Sequence, residues 1–168
     1  MTTDTRDTTK PSHLPPLGAH LRQEIGRELQ ATLLELVDLS LVGKQLHWNV
    51  VGPLFRPLHE QLDELVDSWR ELSDTVAERA VAIGFQPDGQ AHAVVADGEL
   101  APVERGPIAD QTVVRELARR LAEIGESVRA RMDRLGDLDL ASQDVLIEVV
   151  RTLEQQLWMI RAQLEAGA

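Results

Sequence analysis

The sequence contains no cysteine and no tyrosine, and only 3% of its 168 residues are aromatic. The absence of cysteine excludes disulfides and thiolate metal sites, and it is typical of proteins in a reducing compartment. No run of about eighteen apolar residues occurs, so we expect no transmembrane helix. The first residues also lack the apolar core of a secretory signal. These absences predict a cytoplasmic protein without a membrane partner.

Positive charge is scarce as well. The chain has 17 Lys and Arg residues against 28 Asp and Glu residues, which gives a formal net charge of −11 at pH 7. The N-terminal segment offers only Arg6 and Lys10, and Asp4 and Asp7 offset them. A chain of this charge repels nucleic acid as a whole and attracts cations. The charge therefore argues against DNA as a partner.

The chain divides into a short arm and one domain. Residues 1–16 are rich in Thr, Asp and Pro, and we expect them to form a disordered N-terminal arm. Residues 17–168 have the length and apolar content of one domain with a sizeable core. Apolar residues recur there at helical spacing in four long segments. These segments lie at about 18–48, 54–83, 110–136 and 140–164.

The segment 85–109 interrupts this pattern. It is rich in Gly, Pro and Asp and is too long for a hairpin between antiparallel neighbours. It can instead run the length of a bundle and join two helices that point the same way. Residues 91–96 have the composition of a short helix inside it. The sequence therefore predicts a four-helix bundle with one long crossover, and Asp110 as the N-cap of the third long helix.

Two pairs of metal-binding residue types lie on the second long helix. His59 and Asp63 (the upstream pair) are four residues apart, and so are Asp74 and Glu78 (the downstream pair). Each pair faces one way, and all four residues fall within an arc of about 100°. Imidazole and carboxylate ligands suit iron, manganese or zinc. However, the two pairs are about 16 Å apart along the helix axis, so one ion cannot bind both on one helix.

A second copy of the helix resolves this difficulty. The four positions are centred between Ser68 and Trp69. A two-fold axis there places the upstream pair of one chain beside the downstream pair of its mate. Such an isologous dimer repeats every contact and forms two equivalent sites. His47, which precedes the helix break at Val51–Pro53, is well placed to return to the same site.

A row of charges on a helix is more often a solvated face, and the pattern alone leaves that alternative open. One observation weighs against it: this helix already has a separate polar face beside its apolar stripe. The stripe consists of Leu58, Leu62, Leu65, Trp69, Leu72 and Val76. The charged row is thus a third face, which indicates a partner. The remaining histidines, His13, His20 and His92, are interpreted as surface residues.

At these positions the sequence resembles a known family. His47, His59, Asp63, Asp74 and Glu78 match, in type and in every interval, the ferroxidase-site pattern of the Dps mini-ferritins of the ferritin-like superfamily. Three segments also resemble that family, and the likeness covers residues 17–165. They are KQLHWNVVGPLF, DTVAERAVAIG and DLDLASQDVLIEVVRTLEQQLWMIRAQLE.

The resemblance implies a fold and an assembly. The expected fold is an all-α, ferritin-like four-helix bundle with a short helix in the crossover between the second and third helices. Two-fold dimers would build a hollow dodecameric shell. His47, His59 and Asp63 would come from one chain, and Asp74 and Glu78 from its mate. Glu-x-x-His, which ordinary ferritins use inside one bundle, does not occur in this sequence.

The resemblance also implies an activity. The expected protein is an iron-storing ferroxidase that oxidises Fe(II), with hydrogen peroxide preferred over O₂, at sites holding two irons each. Fe(III) oxide would be deposited inside the shell, which protects against oxidative damage. By resemblance, Asp139, Asp144 and Glu148 line an acidic pore for iron entry. The alternative is that they are exposed acids that favour the helix dipole.

Other functions remain open on the sequence alone. One is a nucleoid protein that compacts DNA and has a secondary ferroxidase activity. Another is a helical oligomer with an inactive metal site. Trp48 and Trp69 are interpreted as interface packing, and the alternative is that one of them donates electrons, since Tyr and Cys are absent.

Overall fold

Four long helices and one short helix make up most of the structure. The computed structural model describes residues 13–97 and 101–165. The elements are α1 (Ala19–Asn49), β1 (Val50–Val51), α2 (Phe55–Ala82), α3 (Ala91–Asp97), β2 (Ile108–Ala109), α4 (Asp110–Gly136) and α5 (Leu140–Glu165). The predicted helices are confirmed, including the short one in the crossover. Of the predicted disordered arm, residues 1–12 lie outside the described part of the chain.

Side-chain contacts between helices give the direction of each one. As residue numbers rise on one helix they fall on its neighbour, so every adjacent pair is antiparallel. Two contacts for each pair show this: Lys44–Asp63 and His47–His59 for α1 and α2, Gln61–Gln163 and Trp69–Gln156 for α2 and α5, and Glu28–Arg134 and Glu35–Arg131 for α1 and α4. Because α2 and α4 are both antiparallel to α1, they point the same way. The predicted crossover between parallel helices is therefore confirmed.

The core lies between the four long helices. All six members of the predicted apolar stripe of α2 are buried, with exposed fractions of 6% or less. Burying a Leu, Ile or Val side chain stabilises the fold by about 1.5–3 kcal/mol. The helices are amphipathic, and within the described ranges none is long and apolar enough to cross a bilayer.

The end of α2 follows from one glycine. Gly84 has a φ of +85°, a left-handed conformation that favours glycine. Its N–H donates to the carbonyl of Val81, and the N–H of Phe85 donates to the carbonyl of Ala80. This is the Schellman arrangement, which satisfies carbonyls that the helix end leaves unpaired. The predicted role of Gly84 as the residue that ends this helix is confirmed.

The environment of Trp69 corrects a prediction. Trp69 is completely buried, and its indole N–H donates to the Gln156 side chain on α5 at 2.8 Å. A methyl group at Gly43 would lie 2.6 Å from the indole ring, so α1 and α2 pack closely at this point. Interface packing is therefore the wrong interpretation for Trp69, because the ring packs inside its own bundle. Trp48, in contrast, is 67% exposed.

A small parallel ladder was not predicted. Val50 pairs with Ile108 and Val51 pairs with Ala109, so the end of the crossover runs beside the turn between α1 and α2. Asp110 is the first residue of α4 rather than its N-cap. Two-residue strands carry no periodic pattern, so a sequence offers no signal for them.

Candidate metal centre

Two histidines face each other across the turn between α1 and α2. His47 lies in the last turn of α1, and His59 lies near the start of α2. Their rings stack with centroids 3.7 Å apart and planes inclined by 22°. His47 is buried and His59 is half-buried. The turn therefore brings together two imidazoles that are twelve residues apart in the sequence.

The two histidines hold each other in one orientation. Nδ1 of His47 lies 2.9 Å from the carbonyl oxygen of His59, and Nδ1 of His59 lies 3.0 Å from the carbonyl oxygen of His47. A carbonyl only accepts hydrogen bonds, so each Nδ1 carries the proton and donates it. In the neutral tautomer that this bond selects, the lone pair lies on Nε2. Such a bond on the opposite nitrogen is what orients a metal-ligating histidine.

Asp63 completes a group of three ligands. It follows His59 by one helical turn, and its Oδ1 lies 3.4 Å from Nδ1 of His47. One ligand atom from each of His47, His59 and Asp63 falls within 4.8 Å of the other two. Two imidazoles and one carboxylate on one side of an ion, with the other positions open, form a set typical of non-haem Fe(II). The donor chemistry of the group therefore fits ferrous iron.

Lys44 contacts one member of this group, Asp63. Its Nζ lies 2.6 Å from Oδ1 of Asp63, and its side chain is 23% exposed. The hydrogen bond from Lys44 is the main reason that the pKa of Asp63 lies below its ordinary value; the charges of His47, Lys44 and His59 add to it. Lys44 thus supplies positive charge to the same oxygen that a bound cation would use.

We expect Lys44→Met to tighten metal binding at neutral pH by about five- to tenfold, because a competing charge beside a half-exposed oxygen is removed. The affinity of the variant should also begin to fall at a higher pH than that of the unsubstituted chain. The Lys44 bond lowers the pKa of Asp63, so without it protonation begins sooner as the pH falls. Anaerobic Co(II) titrations from pH 7 to pH 4 measure both effects.

Lys44→Arg is the matched control, because it keeps the positive charge one turn before His47. Its affinity for Co(II) should stay within about twofold of the original chain. Equal affinities for Lys44→Met and Lys44→Arg at pH 7 would contradict a competition between Lys44 and metal.

The downstream pair lies elsewhere on α2. Asp74 and Glu78 are exposed and belong to no group of three metal-binding residues within the ranges 13–97 and 101–165. Neither carboxylate forms a hydrogen bond or an ion pair with a residue of those ranges. The structure thus brings together His47, His59 and Asp63, and it leaves Asp74 and Glu78 about 16 Å further along the helix axis.

Three exposed apolar residues lie in or beside the turn that carries the two histidines. Trp48, Val51 and Phe55 are 67%, 46% and 47% exposed, and the Phe55 ring lies 5.2 Å from that of His59. Large apolar residues that are exposed together usually mark a surface that another protein covers. The partly built metal centre and these residues therefore lie at the same end of the bundle.

Comparisons with known proteins agree with the fold. The Ferritin family, described as a ferritin-like domain, matches residues 27–168. The chain is 36% identical over 156 residues to the DNA protection during starvation protein of Mycolicibacterium smegmatis, covering 92% of this chain and 84% of that protein. This chain belongs to the Dps family. The resemblance seen in the sequence is confirmed.

This Dps chain also resembles solved structures of the family and a relative with another name. The structure of DpsA14 from Streptomyces coelicolor superposes with a TM-score of 0.85 at 35% identity, covering 89% of each chain. The fine tangled pili major subunit of Haemophilus ducreyi is 35% identical over 143 residues, which are 85% of this chain and 76% of that protein. The ferritin-like fold is thus common to relatives with different names.

The three residues predicted to line a Dps pore differ in their contacts and in their exposure. Oδ2 of Asp139 accepts hydrogen bonds from Arg79 at 2.6 Å and from the Ser142 hydroxyl at 2.6 Å, so this carboxylate joins α2 to the start of α5. Asp144 and Glu148 are exposed and line an open groove of about 430 Å³ together with Arg151. The pore role stays a prediction, and the structure favours Asp144 and Glu148 over Asp139.

The other histidines of this Dps chain lie at the surface, as predicted. His13, His20 and His92 are exposed. His20 lies 3.8 Å from Glu24, and His92 lies 3.3 Å from Asp88. None of the three approaches the group around His47.

Two residues near the centre were not predicted to act there. Lys44 precedes His47 by three positions, so helical spacing alone signals that both lie on one face of α1. Asp110 gives no such signal, because it is distant in sequence and reaches the turn only through the end of the crossover.

Proposed function

We propose that this chain is a Dps-type ferroxidase that oxidises Fe(II) at centres shared between two protomers. Fe(III) oxide would collect inside a hollow dodecamer built from two-fold dimers, which limits oxidative damage. One observation carries the proposal: His47, His59 and Asp63 form half of a metal centre, while Asp74 and Glu78 remain unpaired on the same helix.

The arrangement of α2 supports a shared centre. The upstream and downstream pairs lie at equal distances, about 11 Å, on either side of the point between Ser68 and Trp69. A two-fold axis beside that point brings the upstream pair of one protomer to the downstream pair of the other. The exposed apolar residues near His47 would be buried in the same contact. An isologous dimer then contains two equivalent centres.

The ligand types suit the reaction. Carboxylates and imidazoles are harder ligands than thiolates, and carboxylates stabilise Fe(III) more than Fe(II). Two ferrous ions held side by side can each give one electron to one molecule of hydrogen peroxide. Two Fe(II), one H₂O₂ and two protons then give two Fe(III) and two waters, and no hydroxyl radical leaves the site. The downstream pair and Asp63 supply the negative charge that binds the two cations.

Protection by this mechanism does not require contact with DNA. The net charge of −11 per chain opposes binding to phosphate, which depends on neutralisation by Lys and Arg. We therefore place the protective effect in the removal of ferrous iron and peroxide, in the cytoplasm. The words "DNA protection" in the name of the Mycolicibacterium relative refer to that protein and do not assign DNA binding to this chain.

An anaerobic titration with Fe(II) tests the proposal. We expect about two ferrous ions to bind per protomer, because a two-fold dimer holds two centres with two ions each. Addition of one peroxide per two irons should then oxidise all the bound iron, and sizing should show a shell of about twelve chains. Oxidation no faster than that of free Fe(II) in buffer would overturn the proposal and favour a purely structural oligomer.

A further inference from the structure

The turn between α1 and α2 determines how the two histidines meet. His47 lies three residues before the turn, which comprises residues 50–54, and His59 lies five residues after it. Their rings bond to each other's backbone carbonyls, so both backbones must stay close. A small change in the path of the turn would separate the two Nε2 atoms.

Asp110 contacts this turn from another part of the fold. Its side chain is almost fully buried, and residue exposure is 7%. Oδ2 accepts a hydrogen bond from the N–H of Leu54 at 2.8 Å, and Oδ1 accepts one from the N–H of Gln111 at 2.7 Å. Hydrogen bonds to an ionised carboxylate are about twice as strong as neutral ones. Asp110 therefore ties the turn to the start of α4.

Two further contacts keep the turn and the crossover together. Val50 and Val51 pair with Ile108 and Ala109, which directly precede Asp110. Gly52 has a φ of +129°, and a methyl group on it would lie 2.5 Å from Oδ2 of Asp110. The carboxylate therefore rests against the glycine backbone. The close fit indicates that the path of this turn depends on the position of Asp110.

We propose that Asp110 is a positioning residue of the metal centre, acting through the turn that carries His47 and His59. This inference rests on the proposed function. Asp110 touches neither histidine and would not contact metal. Its loss would leave the N–H of Leu54 without its acceptor and allow the turn to relax. The hydrogen bonds from each imidazole to the other histidine's carbonyl would then lengthen, and the two rings would no longer be held in one orientation.

A purely structural role makes a different prediction. An acid in the first turn of a helix also favours the helix dipole, so any loss of Asp110 lowers stability. Stability and metal affinity must therefore be measured separately. Val128→Ala is the matched control, because Val128 is buried in the same helix but lies about 27 Å along it from Asp110.

The experiment uses the full-length assembled protein and anaerobic Co(II) as the probe. We expect Asp110→Ala to lower the affinity for Co(II) by about tenfold, the lower end of the effect of removing an outer partner of a metal ligand. The visible absorption bands of bound Co(II) should shift. Asp110→Asn, which keeps one carbonyl acceptor for Leu54, should lose less affinity and restore the original bands. Val128→Ala should lower the melting temperature and leave affinity and bands unchanged.

Each other outcome decides against the inference. If Asp110→Ala binds Co(II) as the original chain does, with the same bands, Asp110 does not position the centre, and the proposed function is untouched. If Val128→Ala weakens binding as much, the effect is one of general stability. If Asp110→Ala does not fold, Asp110→Asn decides: it should bind Co(II) less tightly than the original chain, and an unchanged affinity defeats the inference. If the original chain neither binds Co(II) nor oxidises Fe(II), the proposed function fails with it.

Discussion

Two inactive variants of this chain should regain activity when they assemble together. The first variant replaces His47, His59 and Asp63 by Ala; the second replaces Asp74 and Glu78 by Ala. Each alone should oxidise Fe(II) on the order of a hundredfold more slowly, since even outer partners of metal ligands are worth 10–100-fold. In a mixed dimer one centre combines both substituted halves, and the other combines both original halves. The second centre is therefore complete.

The expected recovery is quantitative. Random mixing of equal amounts makes half of all dimers mixed, and each mixed dimer has one complete centre of two. The mixture should therefore show roughly a quarter of the original rate. The variants are refolded together and compared with the same variants refolded separately and then combined without exchange. A mixture as slow as the separate variants would mean that each protomer owns its whole centre.

Trp69→Ala should strongly lower the free energy of unfolding. The indole is completely buried between α1, α2 and α5, and replacing a buried Trp by Ala costs about 3–5 kcal/mol. For a domain of this length, such a cost lowers the melting temperature by on the order of 10 °C. Thermal unfolding followed by circular dichroism, at equal protein concentration, measures the change.

The hydrogen bond of the indole can be separated from its packing. Trp69→Phe keeps a ring but leaves Oε1 of Gln156 without its donor, and an unsatisfied buried group costs about 1–3 kcal/mol. In the double variant Trp69→Phe, Gln156→Leu, neither partner of this bond is left unsatisfied, and the loss should be about 1 kcal/mol smaller than the sum of the two single losses. Strict additivity would show that the bond between Trp69 and Gln156 contributes nothing.

Much of the fold could be predicted because its signals are local. The apolar stripe of α2 repeats at helical spacing, and every member is buried. Gly84 ends that helix in the conformation that glycine favours. The crossover followed from length, since a segment of that size between two long helices is too long for a hairpin. Each of these features depends on residues that are neighbours in the sequence.

The candidate site could be predicted only in part from the sequence. The intervals from His47 to Glu78 were readable, because a helix converts spacing into direction. The hydrogen bonds from each imidazole to the other histidine's carbonyl could not be predicted, because they depend on the path of the turn. The indole of Trp69 lies at the predicted height on α2 but faces inward to Gln156, and only the packing of α5 decides that. Asp110 reaches the turn from a segment 56 residues away in the chain.

The continuity of α2 has a consequence for electron transfer. From Phe55 to Ala82 the helix has no glycine, and its one proline lies in the first turn, so it behaves as a stiff rod. In the proposed dimer the rod keeps the two centres about 22 Å apart. Electrons would cross such a gap slowly compared with the step between two irons that share a centre. Both electrons for one peroxide would therefore have to come from the two irons of a single centre. A centre that holds only one iron could not receive the second electron from the other centre of the dimer.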